Sequence, residues 1–110
     1  MYRVLKRDGS MMEFHIAKIG NAITKAFEAV GRQYHPSVIE LLALRVTAEF
    51  ETKIRNDLIS VEDIQDCVER VLSEAGYSDV AKAYILYRKQ REKLRNVGST
   101  LLNYKELVDN

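Results

Sequence analysis

Near Ala17 the apolar residues of this chain change their period, and the change limits what the chain can fold into. Before it, Tyr2 and Val4 lie on one side of an extended segment and Arg3 on the other. Asp8-Gly9 then supplies a tight turn, and Glu13-Phe14 begins the return. After it, Ile19, Ile23, Phe27 and Val30 recur at helical spacing until Gly31 offers a left-handed stop, which predicts a helix over 17–30. Pro36 suits a first helical position, and Val38, Leu42, Val46 and Phe50 form a stripe at every fourth residue, predicting a second helix that runs to about Lys53. Asn56-Asp57 breaks the pattern and Leu58-Ile59 can add a very short strand. Ser60 stands three residues before Asp63 as an N-cap for a third helix from Val61 to Ala75-Gly76. Ser78 or Asp79 can cap a long last helix through Tyr84, Tyr87 and Arg91. The pattern therefore predicts one hairpin and four helices.

At 110 residues the chain has the length of one domain, able to bury roughly two thirds of its unfolded surface. Gly98-Ser99-Thr100 interrupts the last pattern, so residues 1–95 read as the domain and 96–110 as a tail or linker. The single Cys67 cannot form an internal disulfide, and no leader or long apolar span appears, so a cytoplasmic location without a membrane is expected. A net charge of +1 argues against a general polyanion binder, which makes nucleic acid an unexpected partner. The charge is unevenly spread, however. Residues 57–79 are acidic, whereas Lys82, Arg88, Lys89, Arg91, Lys93 and Arg95 face only Glu92 in the last helix.

Catalytic patterns are missing from the sequence. His15 and His35 have no metal-ligand spacing with Cys67, and Cys67 precedes Val68 inside the third helix, where it reads as a structural thiol. Neither G-x-x-x-x-G-K-[ST] nor G-x-G-x-x-G occurs, so any phosphate site must be built otherwise. The run VLKRDGS offers a way: Lys6 and Arg7 sit at the hairpin turn, Gly9 lets backbone approach closely, and Lys18 lies in the first turn of a helix whose free N–H groups favour an anion. The alternative is an ordinary hairpin with solvated basic residues, and spacing alone does not decide between them.

VLKRDGS, the following EF and KI, ISVEDIQDCVERVL and GYSDVAKAYILYRKQR together resemble the ATP-cone domain, the allosteric nucleotide-binding module of ribonucleotide reductases, over about residues 3–95. The resemblance implies a mainly α, α+β fold: a four-helix bundle capped by a small three-stranded sheet, with Leu58 to Ser60 as the third strand. It implies that Val4 frames an adenine site, that Lys6 and Arg7 reach phosphates, that Lys18 adds a third cation, and that Ile19 and Ala22 border the base. His15 takes a position that often bears a polar nucleotide contact, although histidine departs from the pattern there, and Ser60 contacts nucleotide beyond capping its helix. In the last helix, Arg88 and Arg91 share a face at i, i+3 and are the favoured phosphate cations.

The implied ligand is ATP or dATP, with magnesium left open as a companion of the triphosphate. The implied partner is the catalytic domain of a reductase, with nucleotide-dependent self-association also open. The domain itself is expected to be no enzyme. RNVGSTLLNYKELVDN resembles the junction to the catalytic part of an anaerobic, glycyl-radical ribonucleoside-triphosphate reductase. Two alternatives remain: the nucleotide-sensing part of a reductase-gene repressor, though no C-x-x-C of its zinc ribbon is present, and a helical interaction module that binds no nucleotide.

Overall fold

The computed structural model describes residues 2–91. The expectations for residues 96–110 lie outside them. Three short strands, β1 (Arg3–Leu5), β2 (Met11–Glu13) and β3 (Leu58–Ser60), form one sheet in the order β2-β1-β3. Four helices accompany it: α1 (Ile16–Ala29), α2 (Pro36–Phe50), α3 (Val61–Glu74) and α4 (residues 78–91). This is the mainly α bundle with a small sheet that the sequence predicts.

Register decides which strand residues enter the core. β1 runs antiparallel to β2, pairing Val4 with Met12, and parallel to β3, pairing Val4 with Ile59. Directly paired residues share a face, so Val4, Ile59 and Met12 point inward, whereas Arg3, Leu5, Met11 and Leu58 line the outer face. The core that the inward residues join includes Ile23, Phe27, Val46, Phe50, Val68, Val71, Leu72 and Val80, all 1% exposed or less. α3 turns Ile64, Cys67, Val68, Val71 and Leu72 into the core, with Cys67 at 0% exposure. Burial pushes the Cys67 thiol above its usual range, which keeps it protonated and unreactive.

Element ends show where tertiary contacts override local signals. α2 stops at Phe50 rather than Lys53, and Glu51–Lys53 tightens into a 3-10 turn. Phe50 is held at 0% exposure with its ring edge-on to Tyr2 and Phe14, and the narrower turn lets the chain leave that anchor at once. Asn56 and Asp57 both adopt left-handed φ, 54° and 58°, within a two-residue hairpin turn that Arg55 and Leu58 close by exchanging backbone hydrogen bonds. That turn brings β3 beside β1, where Arg3 N–H donates to Asp57 O at 2.8 Å.

Neither Ser78 nor Asp79 takes the capping position of α4, because both already lie inside the helix. Asp79 instead accepts both arms of Arg32, at 3.1 Å each, tying the end of α1 to the start of α4. Those hydrogen bonds hold the Asp79 carboxyl below its usual range.

Candidate functional site

The KRDG turn is built by its own sequence. Gly9 N–H donates to Lys6 O at 3.0 Å and Lys6 N–H to Ser10 O at 2.8 Å, which leaves Gly9 at φ 88°, a conformation that costs glycine nothing. Asp8 accepts from the Ser10 hydroxyl at 2.6 Å and from its N–H at 2.9 Å, and these bonds hold its carboxyl below the usual range. The turn's own carboxylate is thus committed to the turn, and Lys6 and Arg7 project from a rigid tip.

Sheet topology then sets what the tip faces. Because β1 and β3 are parallel with Leu5 beside Ser60, the chain leaves β1 for Lys6 and Arg7 where α3 begins. Ser60 Oγ accepts from Asp63 N–H at 3.1 Å, satisfying one of the orphan donors of α3, and the positive end of the helix lies next to the turn cations. Glu62 and Asp63 already occupy that end, and Arg7 Nε sits 3.4 Å from Glu62 Oε1. An arriving polyanion would have to compete with Glu62 for Arg7.

Lys18 approaches from another direction. α1 starts beyond the end of β2 that pairs with Arg3, opposite the turn, so Lys18 reaches back over the sheet and places its amine 3.8 Å from Met12 Sδ. Lys6, Arg7 and Lys18 therefore line the hairpin along its length and do not meet at one point. Val4 and Ile19 are 7% and 6% exposed and belong to the common core, with Ala22 half-buried against it. His15 is exposed at the N-cap of α1, and its side chain makes no capping bond.

The two last-helix arginines part company. Arg88 turns onto α3, where Asp66 Oδ1 at 3.4 Å and Glu69 both hold its guanidinium, and its side chain is 16% exposed. Arg91 is exposed and donates to the Tyr87 hydroxyl at 3.1 Å, with its guanidinium carbon 5.7 Å from that ring's centre. Burial raises the Tyr87 hydroxyl, but the bond from Arg91 and the charges of Arg91 and Lys25 outweigh it and leave the group below its ordinary value. Sharing a face at i, i+3 does not bring the two arginines together, because carboxylates capture one and an aromatic ring the other. A shallow groove of about 330 Å³ between α1 and α4, bordered by Lys25, Lys82 and Tyr87, begins two turns along α1 from Lys18.

One residue passed over in the sequence stands out. Gln65, one turn into α3 from Val61 and between Glu62 and Glu69 in helical position, buries its Oε1 without a hydrogen-bond partner among the described residues. A buried acceptor left unpaired is uncommon and calls for a donor. The only sequence signal is a polar residue beside the buried Ile64, which amphipathic spacing reads as a surface position.

Ribonucleotide reductases are among the proteins this chain is similar to in sequence. A vitamin B12-dependent ribonucleoside-diphosphate reductase of Mycobacterium tuberculosis is 39% identical over 99 residues, covering 90% of this chain and 14% of that protein. The ribonucleoside-diphosphate reductase subunit alpha of Chlamydia pneumoniae is 40% identical over 98 residues, covering 84% of this chain and 9% of the subunit. An anaerobic ribonucleoside-triphosphate reductase of Haemophilus influenzae is 38% identical over 100 residues, covering 91% and 14%. The chain thus spans about a seventh or less of these relatives' length. Residues 2–93, from the first strand through the last helix, match the ATP cone domain, and the chain belongs to that family.

Proposed function

We propose that this chain binds ATP or dATP at the hairpin and acts as an allosteric regulatory domain of a ribonucleotide reductase, with no turnover of its own. The observation that carries the reading is the placement of Lys6 and Arg7 at the N-terminus of α3, with Lys18 over the same hairpin, in a chain of the ATP-cone family. The turn cations and the α3 N–H groups take the phosphates, and Ser60, whose oxygen accepts from Asp63, keeps its hydroxyl proton to donate to one of them. No group of three or more His, Cys, Asp or Glu that could hold a metal occurs among the described residues, so a magnesium ion would ride on the triphosphate oxygens.

Adenine contact with Val4 and Ile19 requires the hairpin to lift from α1, because both side chains are nearly closed to solvent. Binding is then coupled to a hairpin movement, and a ligand shifts an equilibrium only by its unequal affinity for two states. ATP and dATP differ by one 2′-hydroxyl, so that group must change how far the hairpin settles. Calorimetry with each nucleotide, paired with a phosphate-release assay, tests the reading. Heat with both and no phosphate above the blank is expected. Absence of heat with either at millimolar concentration overturns it.

Gln65 gives a sharper test of base recognition. Its orphaned oxygen suits the exocyclic amine of adenine, a donor that guanine does not present at that position. Gln65→Leu should weaken ATP binding about 3- to 10-fold, the value of one neutral hydrogen bond, while leaving the ligand-free protein equal or higher in melting temperature because an unsatisfied acceptor is removed. Unchanged affinity would mean that the base lies elsewhere.

A further inference from the structure

Helix α2 is apolar on two opposite sides. Ile39, Leu42, Ala43, Val46 and Phe50 turn into the core. Leu41, Leu44 and Ala48 fall within an arc of about 60° on the other side, and the two leucines are 59% and 57% exposed. A helix that only covers a core keeps its outer face polar. The spacing of three and then four residues is that of a coiled-coil seam, a-d-a, over one heptad.

The charges beside the seam identify what covers it. In that frame Glu40 precedes the first leucine at position g, and Arg45 follows the second at position e, one on each flank. Two copies of α2 side by side and parallel set Glu40 of each against Arg45 of the other, giving two identical ion pairs about a two-fold axis. An antiparallel pair would put g beside g and e beside e, facing like charges. Glu40 is exposed with no ion-pair partner among the described residues, and the contact of Arg45 with Glu74 is long at 4.0 Å, so both are available.

We infer that α2 is a self-association surface, where a second copy of this chain docks in parallel through Leu41, Leu44 and Ala48. One heptad buries less than the roughly 1,200 Å² of a stable interface, so the pairing is weak in solution and strengthened wherever copies are held together. The inference stands on the α2 face alone and is independent of nucleotide binding at the hairpin.

Sedimentation of the 110-residue chain from about 10 μM to about 1 mM tests it, the range in which weak pairing is read. A dimer should grow with concentration and vanish in Leu44→Glu, whose exposed position leaves the fold intact by circular dichroism. Glu40→Arg alone should weaken the dimer about 10-fold, since both ion pairs become like-charge contacts. Adding Arg45→Glu to the same chain should restore it, because only parallel self-pairing exchanges the two positions between copies. Mild oxidation of Leu44→Cys should give a covalent dimer through that position, as the native Cys67 is buried. A monomer at every concentration, as when another surface of the parent protein covers the stripe, overturns the inference. So does a dimer indifferent to Leu44→Glu, or a double charge exchange no better than the single one.

Discussion

Phe50→Ala should lower stability by about 3–5 kcal/mol, the usual range for deleting a core phenylalanine. For a domain of this size that is roughly a 12 °C or larger fall in melting temperature. The ring is 0% exposed and stands edge-on to Phe14 at 5.2 Å and to Tyr2 at 5.8 Å between centres, while Tyr2 and Phe14 lie 5.1 Å from each other. Tyr2 precedes β1 and Phe14 follows β2, so both ends of the hairpin are fastened to the last residue of α2. The loss is therefore not confined to a cavity. Hydrogen exchange at Val4 and Met12 should accelerate more than at Val68, because the hairpin loses its anchor while the bundle keeps Val46, Val71 and Leu72. Nucleotide affinity should fall with it, since the turn cations would no longer be fixed against α3. Phe50→Leu keeps much of the buried surface and should cost visibly less. A melting temperature within about 4 °C of the parent would show that the cluster closes over the space.

Phe50 also marks the limit of what the sequence discloses. Its place in an every-fourth-residue stripe makes it a core residue by inspection, but the end of α2 there depends on two aromatic rings from the other end of the domain. The same division holds elsewhere. Ile23, Phe27, Val68 and Leu72 are legible because helical period reports directly on burial, and Gly9 and Asn56-Asp57 because turn chemistry is local. Partnerships between elements have no such signature. Asp79 suits a cap until Arg32 arrives from the loop after α1, and Arg88 suits a phosphate until Asp66 and Glu69 arrive from α3. Lys6, Arg7 and Lys18 were visible as cations near one hairpin. Their spread along it follows from strand direction, which puts the start of α1 and the turn at opposite ends of β2. Gln65 was invisible, because an unpaired acceptor is a property of the folded surroundings.

Those three cations carry the second large expectation. Losing one charge-assisted hydrogen bond to a phosphate costs about 1.5–3 kcal/mol, so Lys6→Ala, Arg7→Ala and Lys18→Ala should each weaken ATP binding roughly 10- to 150-fold. Arg7→Ala should lie at the far end of that range. It removes a cation and also strips Glu62 of the guanidinium 3.4 Å away, leaving a carboxylate beside the incoming phosphates. Glu62→Gln is the complementary change: with the competitor neutralised, affinity should rise about 2- to 5-fold, the value of an exposed ion pair. Lys18→Met keeps an unbranched stem against Met12 and removes only the charge, so it should match Lys18→Ala in affinity. Melting temperatures should stay close to the parent in all of these, since substitutions at exposed positions usually fall within about 0.5 kcal/mol. Lys53→Ala, in the 3-10 turn after α2, should leave binding unchanged. If calorimetry instead gives parental affinity in all three alanine variants, the KRDG turn is a turn alone. The nucleotide would then have to be sought beside Lys25 and Lys82, in the groove between α1 and α4.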